Sequence, residues 1–361
     1  MQCLYYPPEV GGLESHVRGL AEGLVRCGHR VLMLTSRSRP ELPAHDEMKG
    51  VEVHRVWMPG RRPVAWVAHI LATVPVHRRH AAEADIFHAQ TFACVPPAAL
   101  SRRAYPRPLV VTLHTSHFLV RARRARWRPI LRRIVRAADY VLAPSAEIRD
   151  VALELYPHPR SEVLTNAVDT TRFRPAEGTR SGSRTRIIVP RRLYAKNGVE
   201  YFVRAMPRIL ESVDAEAWVI GDGPERERLV ALARQLHLTD RVRLLGARPN
   251  DEMPELLAQG DVVVIPSLME ATSVAALEAM SCGLPVAASR VGGLPEIVDE
   301  EVGTLFEPGD PVGLADSVVR LIRATDRRER GVKARERVAD RWSLDRLVER
   351  HVAIYSELLS A

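Results

Sequence analysis

The sequence predicts an α/β protein made of two domains, each built on a parallel sheet. Its 361 residues exceed the usual size of one domain, and 46% of them are hydrophobic, enough for two substantial cores. Short apolar runs typical of strands buried on both faces alternate with longer segments of helical periodicity. This alternation begins at residue 1 and starts again at residue 187, so the two halves repeat one architecture.

The first half of the chain opens with a strand–loop–helix–strand unit. Residues 1–4 form a short first strand, and Gly11 and Gly12 allow the backbone to approach a ligand closely. Residues 14–25 have helical periodicity, and residues 31–34 form the next strand. Further strands are predicted at residues 51–56, 86–88, 109–113 and 140–143.

Two histidines of this half stand at the carboxyl ends of predicted strands, His88 in DIFHA and His114 in VVTLH. Side chains at that position project toward the edge of the sheet where open α/β proteins bind ligands. His88 is interpreted as a structural residue whose ring nitrogens form hydrogen bonds within the protein. His117 follows His114 by three residues, but no carboxylate or cysteine accompanies the pair, so no metal site is predicted.

The net charge of +8 is concentrated in one stretch. Residues 86–138 contain eleven arginines, no lysine and no acidic residue. Apolar residues at helical spacing and Pro129 in the first turn predict a helix that begins near Trp127 or Arg128. Two interpretations are open: the helix lies on an anionic membrane surface, or it is an ordinary domain helix whose arginines face water. Nucleic acid is not predicted, because aromatic residues do not interleave with the charges.

Other features exclude several classes of protein. No apolar run approaches the ~20 residues of a membrane span, and the start of the sequence lacks a signal-peptide pattern. The four cysteines are far apart, without the paired spacing of zinc or redox sites; they are Cys3, Cys27, Cys94 and Cys282. A reduced cytoplasmic protein with buried thiols is therefore expected.

A polar stretch at residues 175–186, rich in glycine, serine, threonine and arginine, is the predicted hinge between the domains. Strands are then predicted at residues 187–189, 217–220, 242–245, 262–265 and 286–289, and a helix over residues 342–359. Within this half, residues 274–282 form a helix that Thr272 or Ser273 caps and Gly283 ends. Its N-terminus follows a buried strand, and the free backbone N–H groups there can bind a phosphate.

Glu270 and Glu278 flank this phosphate position, one on the loop and one in the helix. A carboxylate can hold a vicinal diol through its two acceptor oxygens. A phosphate site between two such carboxylates fits a ligand of the form sugar–diphosphate–ribose. The alternative is that Glu270 is a solvated loop residue and Glu278 a surface helix residue.

The segment EATSVAALEAMSCGLPVAAS resembles the Glu-x7-Glu signature of retaining GT-B glycosyltransferases, of the family 4-like group. YPPEVGGLE and VLTNAVDTTRFRP resemble two further elements of that family, with Ala167 in place of the usual glycine and a shorter first strand. The resemblance implies two Rossmann-like domains with parallel sheets facing across a cleft. It places an acceptor-side domain at residues 1–175, with a crossover helix at 342–361, and a nucleotide-sugar domain at residues 176–341.

The resemblance also implies roles for individual residues. Glu278 would hold the ribose hydroxyls and Glu270 the sugar hydroxyls, while Gly12 and His114 would approach the donor from the first domain. The pyrophosphate would be bound by Arg192 and Lys196, with Arg191 as an alternative, and by the amides of Ala271, Thr272, Ser273 and Val274. Asn197, rather than the usual lysine, precedes Gly198. The base would lie near Gly246, and Gly292, Gly293 and Glu296 match an element beside the nucleotide.

The implied activity is metal-independent transfer of a hexosyl unit, with retention of configuration, from a nucleoside-diphosphate sugar to a hydroxyl acceptor. The acceptor can be a glycan, a lipid-linked molecule or a small molecule, and no cofactor or metal is expected. Two alternatives are a nucleotide-sugar epimerase or hydrolase on the same fold and a non-catalytic protein that binds nucleotide sugars. Turnover of the donor without an acceptor would distinguish the first, and binding without any turnover the second.

Overall fold

A computed structural model describes residues 1–9, 11–58, 63–114, 116–176 and 184–361. They divide into two units, unit 1 formed by Met1–Asn166 with Leu344–Ala361 and unit 2 by Ala167–Ser343. The helices of unit 1 are α1 (Gly12–Arg26), α2 (Pro63–Ala81), α3 (Val95–Ser101), α4 (Ser116–Ala122), α5 (Arg128–Ala137), α6 (Ala146–Leu155) and α14 (Leu344–Ser360). Its strands are β1 (Val31–Arg37), β2 (His45–Met48), β3 (Val51–Trp57), β4 (Phe87–Ala89), β5 (Leu109–Thr112), β6 (Tyr140–Ala143) and β7 (Ser161–Val163).

The helices of unit 2 are α7 (Val199–Ser212), α8 (Arg226–Gln235), α9 (Met253–Leu257), α10 (Val274–Ser281), α11 (Leu294–Ile297), α12 (Pro311–Arg323) and α13 (Arg327–Arg341). Its strands are β8 (Thr185–Pro190), β9 (Ala215–Ile220), β10 (Val242–Gly246), β11 (Val262–Ile265), β12 (Val286–Ser289) and β13 (Gly303–Phe306). The predicted α/β class with parallel sheets is therefore confirmed for each unit.

The sheet of unit 1 is held together by the first residues of the chain. Gln2 forms parallel bridges to both Leu34 of β1 and Ala89 of β4, so residues around it join strands β1-β3-β2 to strands β4-β5-β6-β7. The predicted short first strand thus lies at the centre of the sheet. Among the described strands of this sheet, only β2 runs antiparallel, against β3.

Helix α14 completes unit 1 and packs against α1. A Cβ atom built on Gly23 of α1 would lie 2.4 Å from Cγ2 of Val348, so any larger residue would clash with that side chain and force it to shift. Ile354 of α14 belongs to the same core cluster as Val110 and Leu142 from the centre of the sheet. The terminal helix therefore belongs to unit 1.

The arginine-rich helix begins at Arg128, as predicted. Its apolar stripe, Leu131, Ile134 and Val135, is buried within unit 1, so these side chains belong to the core. The arginines on its outer face are exposed; they include Arg132, Arg133 and Arg136. Among the described residues, no helix combines the length and apolar character needed to cross a membrane.

The sheet of unit 2 is entirely parallel, in the order β10-β9-β8-β11-β12-β13. Alternate residues of each central strand enter opposite cores: Val262 and Val264 face one, Val263 and Ile265 the other. The strand order reverses between β8 and β11. The carboxyl ends of these two strands form the switch point at which open α/β sheets bind ligands.

The units divide after residues 166 and 343, compared with the predicted boundaries at 175 and 341. Val168 and Phe173 belong to the core of unit 2, which explains the earlier division. Arg335 of α13 also donates hydrogen bonds to the carbonyl oxygens of Phe173 and Thr170, at 2.6 and 2.8 Å. The predicted hinge at residues 175–186 falls mainly on residues 177–183, outside the described residues.

Candidate active site

Two segments that follow neighbouring strands meet at the switch point of unit 2. Arg191 comes directly after β8, and the loop from Ser267 to Glu270 comes directly after β11. The Arg191 guanidinium donates hydrogen bonds to the carboxylate of Glu270 and to the hydroxyl of Ser267. It also lies 3.5 Å from the hydroxyl of Ser273, at the start of α10. One cation therefore joins the Glu270 carboxylate to the N-terminus of the helix.

Helix α10 begins as predicted, with Ser273 as its N-cap. The Ser273 hydroxyl accepts a hydrogen bond from the N–H group of Ala276 at 3.3 Å. Next to the cap, the buried Thr272 hydroxyl has no hydrogen-bond partner among the described residues, and the same is true of the Arg191 Nε atom. Free donors at a helix N-terminus beside a cation make a site suited to an anion such as phosphate.

The Glu270 loop is held in place by the segment that follows β12. Gly292 has φ of 56°, and a Cβ atom there would lie 1.9 Å from the carbonyl oxygen of Glu270. The N–H group of Gly293 donates to the carbonyl oxygen of Ala271 at 3.1 Å. A side chain at position 292 would therefore displace the loop that carries Glu270.

Glu278 lies in the second turn of α10 and is 7% exposed. The Nδ2 group of Asn250 donates to its Oε1 atom at 3.2 Å. Burial raises the pKa of Glu278 to about 7, while the Asn250 hydrogen bond and the charge of Arg172 act in the opposite direction. Burial without a full ionic partner leaves this carboxylate ready to accept hydrogen bonds from a ligand.

The two cations predicted to bind the pyrophosphate, Arg192 and Lys196, are both exposed to solvent near this site. The Arg192 guanidinium is exposed and lies 5.9 Å from the centre of the Tyr194 ring. Lys196 is also solvent-exposed, and its carbonyl oxygen accepts from the N–H group of Leu268 at 2.8 Å. Partial desolvation lowers the pKa of Lys196; the Glu270 charge opposes this shift and the neighbouring arginines add to it. Arg191, the alternative, is the arginine that contacts Glu270.

Gly246 ends β10, where its carbonyl oxygen accepts from the N–H group of Gly221 at 2.9 Å. It therefore lies on the same sheet edge as the residues that follow β9. Asn250, the partner of Glu278, follows a few residues later. Neither Asn250 nor Arg172 was predicted, because both act through contacts distant in sequence.

In unit 1, Gly12 is the first residue of α1, and His114 follows β5. The Nε2 atom of His114 lies 2.8 Å from Oε1 of Gln90, and the His16 ring packs 4.6 Å away. Burial lowers the pKa of His114 to about 3, with a further contribution from His351. His114 is therefore neutral.

His88 is a buried core histidine, in agreement with its structural interpretation. Its Nδ1 and Nε2 atoms lie 2.6 Å from the Tyr355 hydroxyl and 2.7 Å from the Thr112 hydroxyl. His117 is exposed on α4.

Comparison with known proteins identifies the chain. Residues 10–172 match the model of Glycosyltransferase Family 4, and residues 184–324 match that of Glycosyl transferases group 1. An uncharacterised glycosyltransferase of Methanocaldococcus jannaschii is 30% identical over 388 residues, covering 97% of this chain and 95% of the relative. The chain belongs to the family 4 glycosyltransferases.

Solved structures show the fold of this glycosyltransferase. Sucrose-phosphate synthase from Thermosynechococcus elongatus superposes with a TM-score of 0.86 at 21% identity, over 99% of this chain and 96% of the other. Anabaena HepE in complex with UDP-glucose superposes with a TM-score of 0.78 at 22% identity, over 99% and 98% of the two chains. The predicted GT-B fold is confirmed.

Among the described residues of the glycosyltransferase, one group has metal-ligand atoms within 4.8 Å of one another: Glu52, His54 and His80. It lies in unit 1. The Glu52 carboxylate is already paired, 2.6 Å from His54 and 3.2 Å from Arg30. The residues described around Glu270 and Glu278 contain no comparable group.

The raised pKa of Glu278 gives this glycosyltransferase a pH-dependent stability. In the donor-free protein its pKa lies above the ordinary value of 4.5, so its stabilising contribution is present below pH 4.5 and is lost as the pH rises to about 7. Each unit of the shift corresponds to at most about 1.4 kcal/mol. We expect Glu278→Gln to raise the free energy of unfolding of unit 2 by about 2 kcal/mol at pH 8 and to have little effect at pH 4.5.

Urea unfolding of both proteins at the two pH values measures this difference. Glu255→Gln, on the exposed surface of α9, is the matched control and should behave like the wild type at both. An equal effect of Glu278→Gln at pH 4.5 and pH 8 would contradict the prediction.

Proposed function

We propose that this glycosyltransferase moves a hexosyl unit from a nucleoside-diphosphate sugar to a hydroxyl acceptor, with retention of configuration and without a metal ion. One observation carries the proposal. At the switch point of unit 2, Arg191 joins the Glu270 carboxylate to the N-terminus of α10, where the buried Thr272 hydroxyl has no partner among the described residues. Such a site suits an anion bound next to hydroxyl groups.

In this proposal the diphosphate is bound by the amides of residues 271–274 and by the cations that follow β8. Those cations are Arg191, Arg192 and Lys196. Glu278 binds the ribose hydroxyls, Glu270 binds hydroxyls of the transferred sugar, and the base lies near Gly246. Gly12 and His114 are the proposed sugar contacts of unit 1. The similarity to a protein solved with UDP-glucose supports a nucleotide sugar as the donor class.

Departure of the nucleoside diphosphate places negative charge on the phosphate and positive charge on the anomeric carbon. Fixed N–H groups and guanidinium groups stabilise the negative charge without a metal ion. The leaving phosphate accepts the proton of the acceptor hydroxyl, which attacks on the same face. Glu270 is not the nucleophile: its pairing with Arg191 favours a role in binding.

The experiment is an assay of purified protein with uridine-, guanosine- and adenosine-diphosphate sugars and a panel of acceptors. We expect activity with one donor class, undiminished by EDTA, and an α-glycoside product from an α-linked donor. Strict dependence on Mg²⁺ or Mn²⁺, or an inverted product, would contradict the mechanism. Steady turnover without an acceptor would identify a hydrolase or an epimerase, and binding without turnover a non-catalytic protein.

We also propose that the exposed arginine face of α5 binds anionic lipid surfaces and so brings unit 1 to a lipid-linked acceptor. The apolar stripe of this helix is buried in the core, so the contact is electrostatic. Within the described part of the chain, no carboxylate pairs with the arginines of this face; they are Arg132, Arg133 and Arg136. Each such arginine contributes about 1 kcal/mol near an anionic membrane.

Replacing these three arginines by glutamine is expected to weaken binding to phosphatidylserine vesicles by about 100-fold at low salt. Vesicle co-sedimentation measures the change. The matched control replaces three exposed arginines of unit 2 and lowers the net charge equally; they are Arg204, Arg208 and Arg323. Equal losses in the two variants, or no binding of the wild type at low salt, would contradict the proposal.

A further inference from the structure

Three potential metal ligands of unit 1 lie close together, outside the site described above. Glu52 and His54 belong to β3 and His80 to α2, and one ligand atom from each lies within 4.8 Å of the other two. Glu52 and His54 are two residues apart on a strand, so their side chains share one face of the sheet. The centre of the His80 ring lies 4.4 Å from that of His54. Two imidazoles and a carboxylate are the protein ligands of several open zinc sites.

Strand β2 adds two similar side chains to this face. His45 and Glu47 stand directly opposite His54 and Glu52 in the antiparallel pair of β2 and β3. The centres of the His45 and His54 rings lie 4.5 Å apart. Like charges directly opposite each other destabilise a pair of strands. Arg30 pairs with Glu52 at 3.2 Å, whereas no described residue forms an ion pair with Glu47. A divalent cation bound to Glu52 would supply the missing positive charge.

An ion can reach this cluster from solvent. The Glu52 side chain is 39% exposed, and His80 is partly exposed. His80 also lines a cavity of about 280 Å³ together with Arg30 and Glu83. Arg30 lies 2.9 Å from Glu83 as well, so it keeps an ionic partner when Glu52 turns to an ion. Ligand atoms around one Zn²⁺ lie roughly 3.3 Å apart, and rotation of the two partly exposed side chains can provide that spacing.

We propose that Glu52, His54 and His80 bind one Zn²⁺ ion, with water as the fourth ligand, and that this ion joins β3 to the last turns of α2. The role of the ion is structural, because three metal–ligand bonds then connect two elements of unit 1. Imidazole ligands select Zn²⁺ over Mg²⁺, which prefers oxygen ligands. The ligands belong to unit 1, while Glu270 and Glu278 belong to unit 2, so the zinc site does not depend on the proposed function.

Titration calorimetry and thermal unfolding test the site in the full chain after treatment with EDTA and removal of the chelator. We expect one Zn²⁺ ion to bind per chain. A Zn²⁺ concentration 100 times the Kd is expected to raise the Tm of unit 1 by about 5–10 °C. Mg²⁺ is expected to leave the Tm unchanged. Absence of Zn²⁺ binding, or an equal rise with Mg²⁺, would overturn the proposal.

Glu52→Gln and His80→Ala each remove one ligand and are expected to weaken Zn²⁺ binding by at least about 100-fold, since loss of an outer-shell partner alone costs 10–100-fold. Thermal unfolding without metal shows whether each variant folds. The visible absorption of bound Co²⁺, which reports its coordination, should be lost in both. His117→Ala, on the exposed surface of α4 in the same unit, is the matched control and should bind like the wild type. Unaltered Zn²⁺ affinity in either ligand variant would contradict the assignment of that ligand.

Zinc binding and sugar transfer are measured separately. Because the role of the ion is structural, transfer measured below the unfolding transition is expected to be equal with and without Zn²⁺. A wild-type chain that binds Zn²⁺ at this site but shows no transfer would remove the proposed function and leave the zinc site standing. A loss of transfer on removal of Zn²⁺, reversed when Zn²⁺ is added back, would overturn the structural role.

Discussion

Replacing Glu278 by alanine is expected to weaken binding of the nucleoside-diphosphate sugar by at least about 100-fold. In the proposed function its carboxylate accepts hydrogen bonds from two ribose hydroxyls, and hydrogen bonds to charged groups contribute about 1.5–3 kcal/mol each. The group is buried, and Asn250 occupies only one of its oxygens. Part of the carboxylate's acceptor capacity therefore remains for a ligand. Titration calorimetry with the donor identified by the activity screen measures the loss.

Glu255→Ala is the matched control, because Glu255 is exposed on α9 of the same unit. It should bind the donor like the wild type. Thermal unfolding of both variants without ligand separates a loss of binding from a loss of folding. Unaltered donor affinity in a folded Glu278→Ala protein would contradict the proposed orientation of the nucleotide.

Replacing Arg191 by alanine is expected to lower kcat by about 100- to 1,000-fold, the range found when one fixed donor to a developing negative charge is removed. The change removes a cation from the N-terminus of α10 and leaves the Glu270 carboxylate without its ionic partner. Both effects raise the barrier to departure of the nucleoside diphosphate. Steady-state kinetics with saturating donor measure the change.

Arg208→Ala removes an exposed arginine of α7 that pairs with Asp316, and it should retain full activity. The Arg192→Ala variant distinguishes the roles of the two neighbouring arginines. If it abolishes activity while Arg191→Ala remains active, Arg191 only supports the loop and Arg192 is the cation that acts on the leaving group.

Local signals in the sequence were sufficient for much of the fold. The strands at residues 262–265 and 286–289 are continuous apolar runs between clear turn residues, and both were predicted with their observed limits. Pro129 indicated the start of α5, because proline is favoured in the first turn of a helix. Strand β2 was missed: its sequence, His-Asp-Glu-Met, is polar and exposed, and it forms only by pairing with β3.

The site was predicted less completely, for a physical reason. Arg191 and Arg192 are adjacent after β8, and neighbouring residues of an extended chain point in opposite directions. The sequence therefore could not show which guanidinium meets Glu270; the contact depends on where β11 lies. The partner of Glu278, Asn250, is 28 residues away along the chain, so no local pattern pointed to it.

The path of the chain through the two units sets the order in which they can form during synthesis. Unit 2 is continuous, and its first and last residues meet where Val168 pairs with Ser343. Its core therefore needs no residue of the final helix in order to close. Unit 1 begins first but finishes last, because α14 supplies the side chains that cover α1 and the middle of the sheet. Until then the early half exposes an apolar surface, and this is the stage at which a nascent chain needs protection from aggregation.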